Sequence, residues 1–136
     1  MNRGQSTIET MFAIGVVLFF VSMLFVFLIY PRIDQTNNLQ RVYAAKNTCN
    51  DLSTAINNVA YNGNGFSQKA ALSATLSGAR YNITIYGQLI EVSWDSSAIF
   101  CQFRARNITY AGNYPPFLLD IRDHLLNNSN GVVKIA

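Results

Sequence analysis

Three hydrophobic patterns follow one another along the chain. Met11 to Tyr30 reads MFAIGVVLFFVSMLFVFLIY, 20 residues without a charge. As a helix this run is about 30 Å long, enough to cross a bilayer core. From Val42 the spacing turns helical and one-sided. Val42, Ala45, Cys49, Leu52, Ile56 and Val59 recur at intervals of three and four, with Lys46, Asn50, Ser53 and Asn57 elsewhere on the wheel. The glycines of YNGNG, residues 61–65, end that stripe. Between the two patterns stands Pro31, which removes a helical hydrogen bond and presses on the carbonyl of Phe27. A kink or a helix end is expected there.

Beyond residue 65 the period falls to two. RYNITIY sets Tyr81, Ile83 and Ile85 against Asn82, Thr84 and Tyr86, and LIEVSW sets Ile90, Val92 and Trp94 against Glu91 and Ser93. Gly87-Gln88 between them suits a two-residue hairpin turn with glycine first. Asp95-Ser96-Ser97 turns the chain into AIFCQFRA, where Ile99, Cys101, Phe103 and Ala105 share a face. The pattern predicts a three-stranded antiparallel meander, preceded by a weaker strand around Leu72 to Leu76. FLLDIRDHLL reads as a strand with Leu119 and Ile121 aligned, or as a helix aligning Leu118, Ile121 and Leu125. Asn130-Gly131 before VVKI is a hairpin signal and favours two strands. The expected fold is α+β: an apolar helix over 5–30, an amphipathic helix over 31–60, and a small antiparallel β head over 61–136 packed on it.

Composition narrows the functional classes. Only 12% of the residues are charged, about half the usual share, so the surface is mostly neutral and polar. The net charge of +3 is scattered, with no basic cluster beyond Arg104 and Arg106. A nucleic-acid footprint needs a dense basic stripe or a recognisable module, and neither is present. The apolar run is longer than the roughly 7–15 residues of a secretory signal core, and IYPRID follows it with no small-residue cleavage site. The segment is therefore expected to stay in the mature protein, as a membrane helix.

Arg32, Arg41 and Lys46 follow the run while Arg3 precedes it, which by charge alone favours the C-terminal part inside the cell. The cysteines weigh the other way. Cys49 lies on the helix stripe and Cys101 on the face of Ile99 and Phe103, so both point into the interface between helix and sheet. A Cys49–Cys101 disulfide would staple a head too small for a generous core. It requires an oxidising compartment, the alternative being two buried thiols. Three glycosylation sequons begin at Asn82, Asn107 and Asn127, about as many as this composition yields by chance. Asn82 belongs to the outward face of its strand and Asn127 lies near a turn, positions that suit a glycan.

Candidate chemistry is sparse. Glu91, Asp95, Asp120, Asp123 and His124 are the polar groups available to an active site. Asp120 and His124 could share a metal if they lay on one helical turn, but no spacing supplies a third ligand. No Ser–His–acid set, phosphate loop or Cys-x-x-Cys is present, so the reading is of a protein without cofactor or catalytic site.

One short stretch carries a resemblance. RGQSTIE, residues 3–9, followed by the uninterrupted apolar helix, resembles the N-terminus of archaeal type IV pilins and pilin-like proteins with a class III signal peptide. In that family a short charged leader ends in Gly, and Gln-x-Ser/Thr-x-Glu opens the hydrophobic segment; here Thr7 takes the place usually held by Ser. The resemblance implies a leader of residues 1–4, cut between Gly4 and Gln5 by a membrane prepilin peptidase. It also implies a mature chain in which Glu9 is the fifth residue. The chain would then be a major or minor subunit of a surface filament, made by a pilus assembly ATPase and membrane platform. Partners would be further copies of itself or other pilins. It would sit in the membrane as precursor and outside the cell when assembled. The Gln5 amine and Glu9 of neighbouring subunits would pair, and Phe12, Ile14, Val17, Leu18, Phe20 and Leu24 would pack between helices. The alternative is an uncleaved, N-terminally anchored protein with a small extracellular binding domain.

Overall fold

The computed structural model describes residues 3–136, with residues 3–7, 29–31, 33 and 34 described by their backbone alone. Two residues of the expected leader, Met1 and Asn2, and the side chain of Gln5 lie outside the described residues. One helix, α1, covers Arg3–Asn62. Eight strands follow: β1 Ser67–Ala70, β2 Asn82–Tyr86, β3 Leu89–Trp94, β4 Ser97–Gln102, β5 Ile108–Tyr110, β6 Phe117–Leu119, β7 His124–Ser129 and β8 Val132–Ile135. The chain divides into two compact units, one up to Leu39 and one from Gln40 to Ala136, and all eight strands belong to the second.

In the first unit α1 does not end at Pro31. A proline deletes a single donor, and the ladder on either side holds the helical path. Short hydroxyls bond back to the preceding turn: Ser22 Oγ donates to Leu18 O at 2.8 Å and Thr36 Oγ1 to Arg32 O at 2.9 Å. This is the usual way a polar residue is accommodated inside a helix.

The second unit holds the core. From α1 it takes Ala45, Cys49, Leu52, Ile56 and Val59, buried as the stripe predicts, and also Ala55, which the stripe did not include. Val42 is the exception and stays exposed. Ser53 and Asn57, expected on the polar face, instead look toward the end of β4. Ser53 Oγ donates to Gln102 O at 2.6 Å, and Asn57 Oδ1 accepts from the Arg104 N–H at 2.6 Å. Polar side chains are favoured here because the chain leaving β4 has lost its ladder and needs partners.

The strands make two four-stranded sheets, β4-β3-β2-β6 and β1-β7-β8-β5. The meander β2-β3-β4 is as expected, with Ile83, Ile85, Ile90, Val92 and Trp94 inward. Gly87 opens the β2–β3 turn at φ 55°, and Asn130-Gly131, both at positive φ, close the β7–β8 hairpin. The 117–126 segment is extended, as favoured, and gives β6 and the start of β7.

Two expectations need correction. The head is not one antiparallel sheet, because β5 runs parallel to β8 in a second sheet. The weak strand expected at Leu72 to Leu76 is absent. Leu72 and Leu76 reach the core from a loop, and Leu76 bonds only to Ala79 across the Ser77-Gly78 turn. The first strand is instead Ser67–Ala70, paired with β7.

Asn128 ties the second sheet to the end of α1. It is 3% exposed, and its Nδ2 donates to Val59 O at 3.0 Å and Ala60 O at 3.4 Å. Its Oδ1 accepts from Gly131 N at 3.0 Å. Carbonyls in the last helical turn have no partner within the helix. Asn128→Ala strands them in the core and is expected to cost about 2 kcal/mol, a drop of roughly 10 °C in melting temperature. Thermal unfolding followed by circular dichroism measures it, and an unchanged midpoint would remove this role.

Candidate functional site

The segment with the clearest functional demand is the apolar part of α1. Ile8–Leu28, 21 residues, is long and apolar enough to cross a membrane, and none of it is buried within the chain. Phe12 is 75% exposed and Ile14 55%; Val17, Leu18, Phe20 and Leu24 are similarly open. Each such side chain gains roughly 1.5–3 kcal/mol when taken out of water, so apolar surroundings favour the segment. Its surface is ridged. A recess of about 510 Å³ lies among Met11, Phe12, Val16, Phe19 and Phe20, where Gly15 supplies no side chain. A second, of about 270 Å³, lies among Thr10, Ala13, Ile14, Val17 and Leu18. Glu9 is exposed at the N-terminal end of this surface.

The two cysteines meet. Cys49 of α1 and Cys101 of β4 form a disulfide, with Cα atoms 6.0 Å apart, as the pairing of helix stripe and strand face predicts. The sequon asparagines Asn82, Asn107 and Asn127 are all exposed. Asn127 lies in mid-strand on β7 rather than at a turn, with its side chain outward while Asn128 points in.

The polar groups singled out for chemistry are dispersed. Asp95 pairs with Arg41 at 3.3 Å, and Asp123 with Lys69 at 2.6 Å. Glu91 stands half-buried on β3. Asp120 and His124 are close, but not through the carboxylate. His124 is fully buried, with Nε2 2.8 Å from the Asp120 backbone O and Nδ1 3.2 Å from Ala136 O. The Asp120 carboxylate accepts from Tyr110 Oη at 2.9 Å and lies 3.7 Å from Arg122. Among the described residues no three His, Cys, Asp or Glu side chains gather as a metal site.

Among the described residues two groups titrate away from their ordinary range. Hydrogen bonding and charge from Lys69 hold the Asp123 carboxyl below the usual carboxylate value. Burial pushes the Tyr81 phenol up, and its hydroxyl donates to Ser73 O. A depressed carboxyl stabilises the fold above its unfolded value near 4, and loses that contribution as pH falls through the folded value. Lys69→Gln is therefore expected to lose less stability than the parent between pH 5 and 2. The difference is small because both partners are exposed. Parallel denaturant melts at pH 7 and pH 3 measure it, and equal losses in the two proteins would remove the pair's role. Tyr81 has the opposite sign: its contribution is present below about pH 10 and lost as pH rises through the raised value.

The sequence reading missed Asn128, whose role depends on a contact 69 residues away in the chain. It also passed over a cleft at the end of α1 where Tyr61, Asn57 and Arg104 converge. No local period marks either. No protein-family model, curated protein or solved structure matches the chain.

Proposed function

We propose that the chain is a subunit, major or minor, of an archaeal type IV pilus-like surface filament. The observation that carries the reading is the apolar surface of Ile8–Leu28, open on every side and headed by Glu9 in the Gly4-Gln5-Ser6-Thr7-Ile8-Glu9 context. In the membrane, lipid covers this surface; in a filament, the helices of neighbouring subunits do. The recess at Gly15 would receive a bulky side chain of a neighbour, as knobs enter holes between packed helices. Removal of the leader at Gly4 would leave an amine on Gln5, against which the Glu9 carboxylate of a staggered neighbour is neutralised. A buried ion pair fixes register more than it adds stability. The disulfide supports a head that works in an oxidising place, and the exposed sequons are compatible with glycosylation there.

The test is the N-terminus of the protein recovered from membranes and cell surface, read by mass spectrometry of the terminal peptide. A chain beginning at Gln5 is expected. A chain beginning at Met1 or Asn2 would sink the processing argument and leave an anchored protein with an extracellular β domain.

A further inference from the structure

A cleft in the described head brings asparagine, tyrosine and arginine side chains together and is lined by no carboxylate. It has a volume of about 620 Å³ and is formed by Asn57, Asn58, Ala60 and Tyr61 at the end of α1 with Arg104 and Ala105 beyond β4. We propose that this cleft binds an acidic saccharide, a sugar chain bearing uronic-acid carboxylates. The inference is independent of filament assembly.

Four features of the cleft point to that ligand. Arg104 makes none of the ion pairs found in the head, which join Arg41 to Asp95, Lys69 to Asp123 and Arg122 to Asp120. Its guanidinium is therefore available for the two-pronged hydrogen bonding that suits a carboxylate. Asn57 is held with Oδ1 on the Arg104 N–H, so the group it has left to offer is its amide NH₂, a donor. Tyr61 is 92% exposed, a ring on which the C–H face of a sugar can rest, with a hydroxyl at its rim. Finally, three carbonyls in the last turns of α1, which would repel an anion, are covered by side-chain amides. Asn128 Nδ2 bonds Val59 O and Ala60 O, and Asn62 Nδ2 bonds Asn58 O at 2.8 Å. The volume lies in the usual range for small-ligand sites.

A nucleic-acid strand shares the appetite for arginine and an aromatic ring, but it needs a charged track with several stacking platforms. Here one ring and Arg104, with Arg106 two residues on, make a local site instead.

The experiment is isothermal titration of the full chain in detergent micelles with tetragalacturonate. Maltotetraose serves as the neutral sugar and oligothymidylate as the nucleic-acid arm. Tetragalacturonate is expected to bind and maltotetraose to bind at least tenfold more weakly. Arg104→Gln, which keeps the backbone bond to Asn57, should weaken binding about tenfold or more. Tyr61→Ala should weaken it about fivefold. Because Tyr61 is almost wholly exposed, that variant reads the site even if Arg104→Gln perturbs folding. Lys134→Gln on β8 should leave binding unchanged. The proposal is overturned if the wild-type chain takes up no tetragalacturonate, if maltotetraose binds equally, or if Lys134→Gln weakens binding as much as Arg104→Gln. Tighter binding of oligothymidylate, lost with Arg104→Gln, would overturn it in favour of nucleic acid.

Discussion

Replacing Cys49 and Cys101 together with alanine is expected to lower the melting temperature of the head by roughly 10–25 °C. The bond joins residues separated by 52 in sequence, and closing a loop of that length removes about 4 kcal/mol of unfolded-chain entropy in the simplest model. Measured disulfides give about 2–4 kcal/mol, and a domain of this size shifts by roughly 4–8 °C per kcal/mol. The effect is large because of what the bond connects. Cys49 is fully buried on α1, and Cys101 lies on β4, an edge strand of its sheet whose only ladder partner is β3. Without the bond, Ser53 and Asn57 are the described residues that still bond α1 to the chain end of β4. Thermal melts with and without a thiol reductant, on parent and double variant, distinguish bond from packing. The reductant should move the parent midpoint to that of the variant and leave the variant alone. A parent midpoint indifferent to reductant would refute the bond's contribution.

On the filament reading, Glu9→Ala is expected to reduce filaments on the cell surface to few or none, with subunits still accumulating in the membrane. The apolar rods would retain their attraction, since Phe12, Val17, Phe20 and Leu24 are untouched. What is lost is the partner of the Gln5 amine, so one positive charge per subunit would have to enter an apolar interior unpaired. That costs several kcal/mol per ion, repeated at every addition. Electron microscopy counts the filaments, and mass spectrometry of the membrane fraction confirms that leader removal continues. Normal filaments built from normally processed Glu9→Ala subunits would eliminate the pairing. Glu9→Gln tests charge against shape and should fail like alanine.

The sequence disclosed those parts of the fold whose partners are near in the chain. The meander was legible because β2, β3 and β4 are consecutive, alternate strictly and turn on two residues each. The helix stripe was legible down to the cysteine, and with it the disulfide. The second sheet was not. β1 is Ser67-Gln68-Lys69-Ala70, with a single buried residue, and β5 is three residues long with Ile108 and Thr109 both buried, so neither alternates. Their pairing with β7 and β8 is a matter of topology, not local period. Ser53 and Asn57 were misread because a polar side chain at a helix–strand contact is placed by the hydrogen bonds it supplies. For the candidate site, the Gly4 to Glu9 motif and the apolar run were plain in the sequence. The cleft at Tyr61 was invisible until α1 and the chain after β4 were seen side by side.

The parallel pairing of β5 with β8 also dictates an order of events. β8 lies between β7 and β5, so β5 has no strand to join until the residues after Gly131 arrive. Loop-closure entropy must be met before that contact forms, which slows folding. A head emerging N-terminus first would complete its meander early and hold β5 and β7 as open edges. Such edges are where chains stick to one another. Newly made heads are therefore most vulnerable to aggregation in the interval just before β8 inserts.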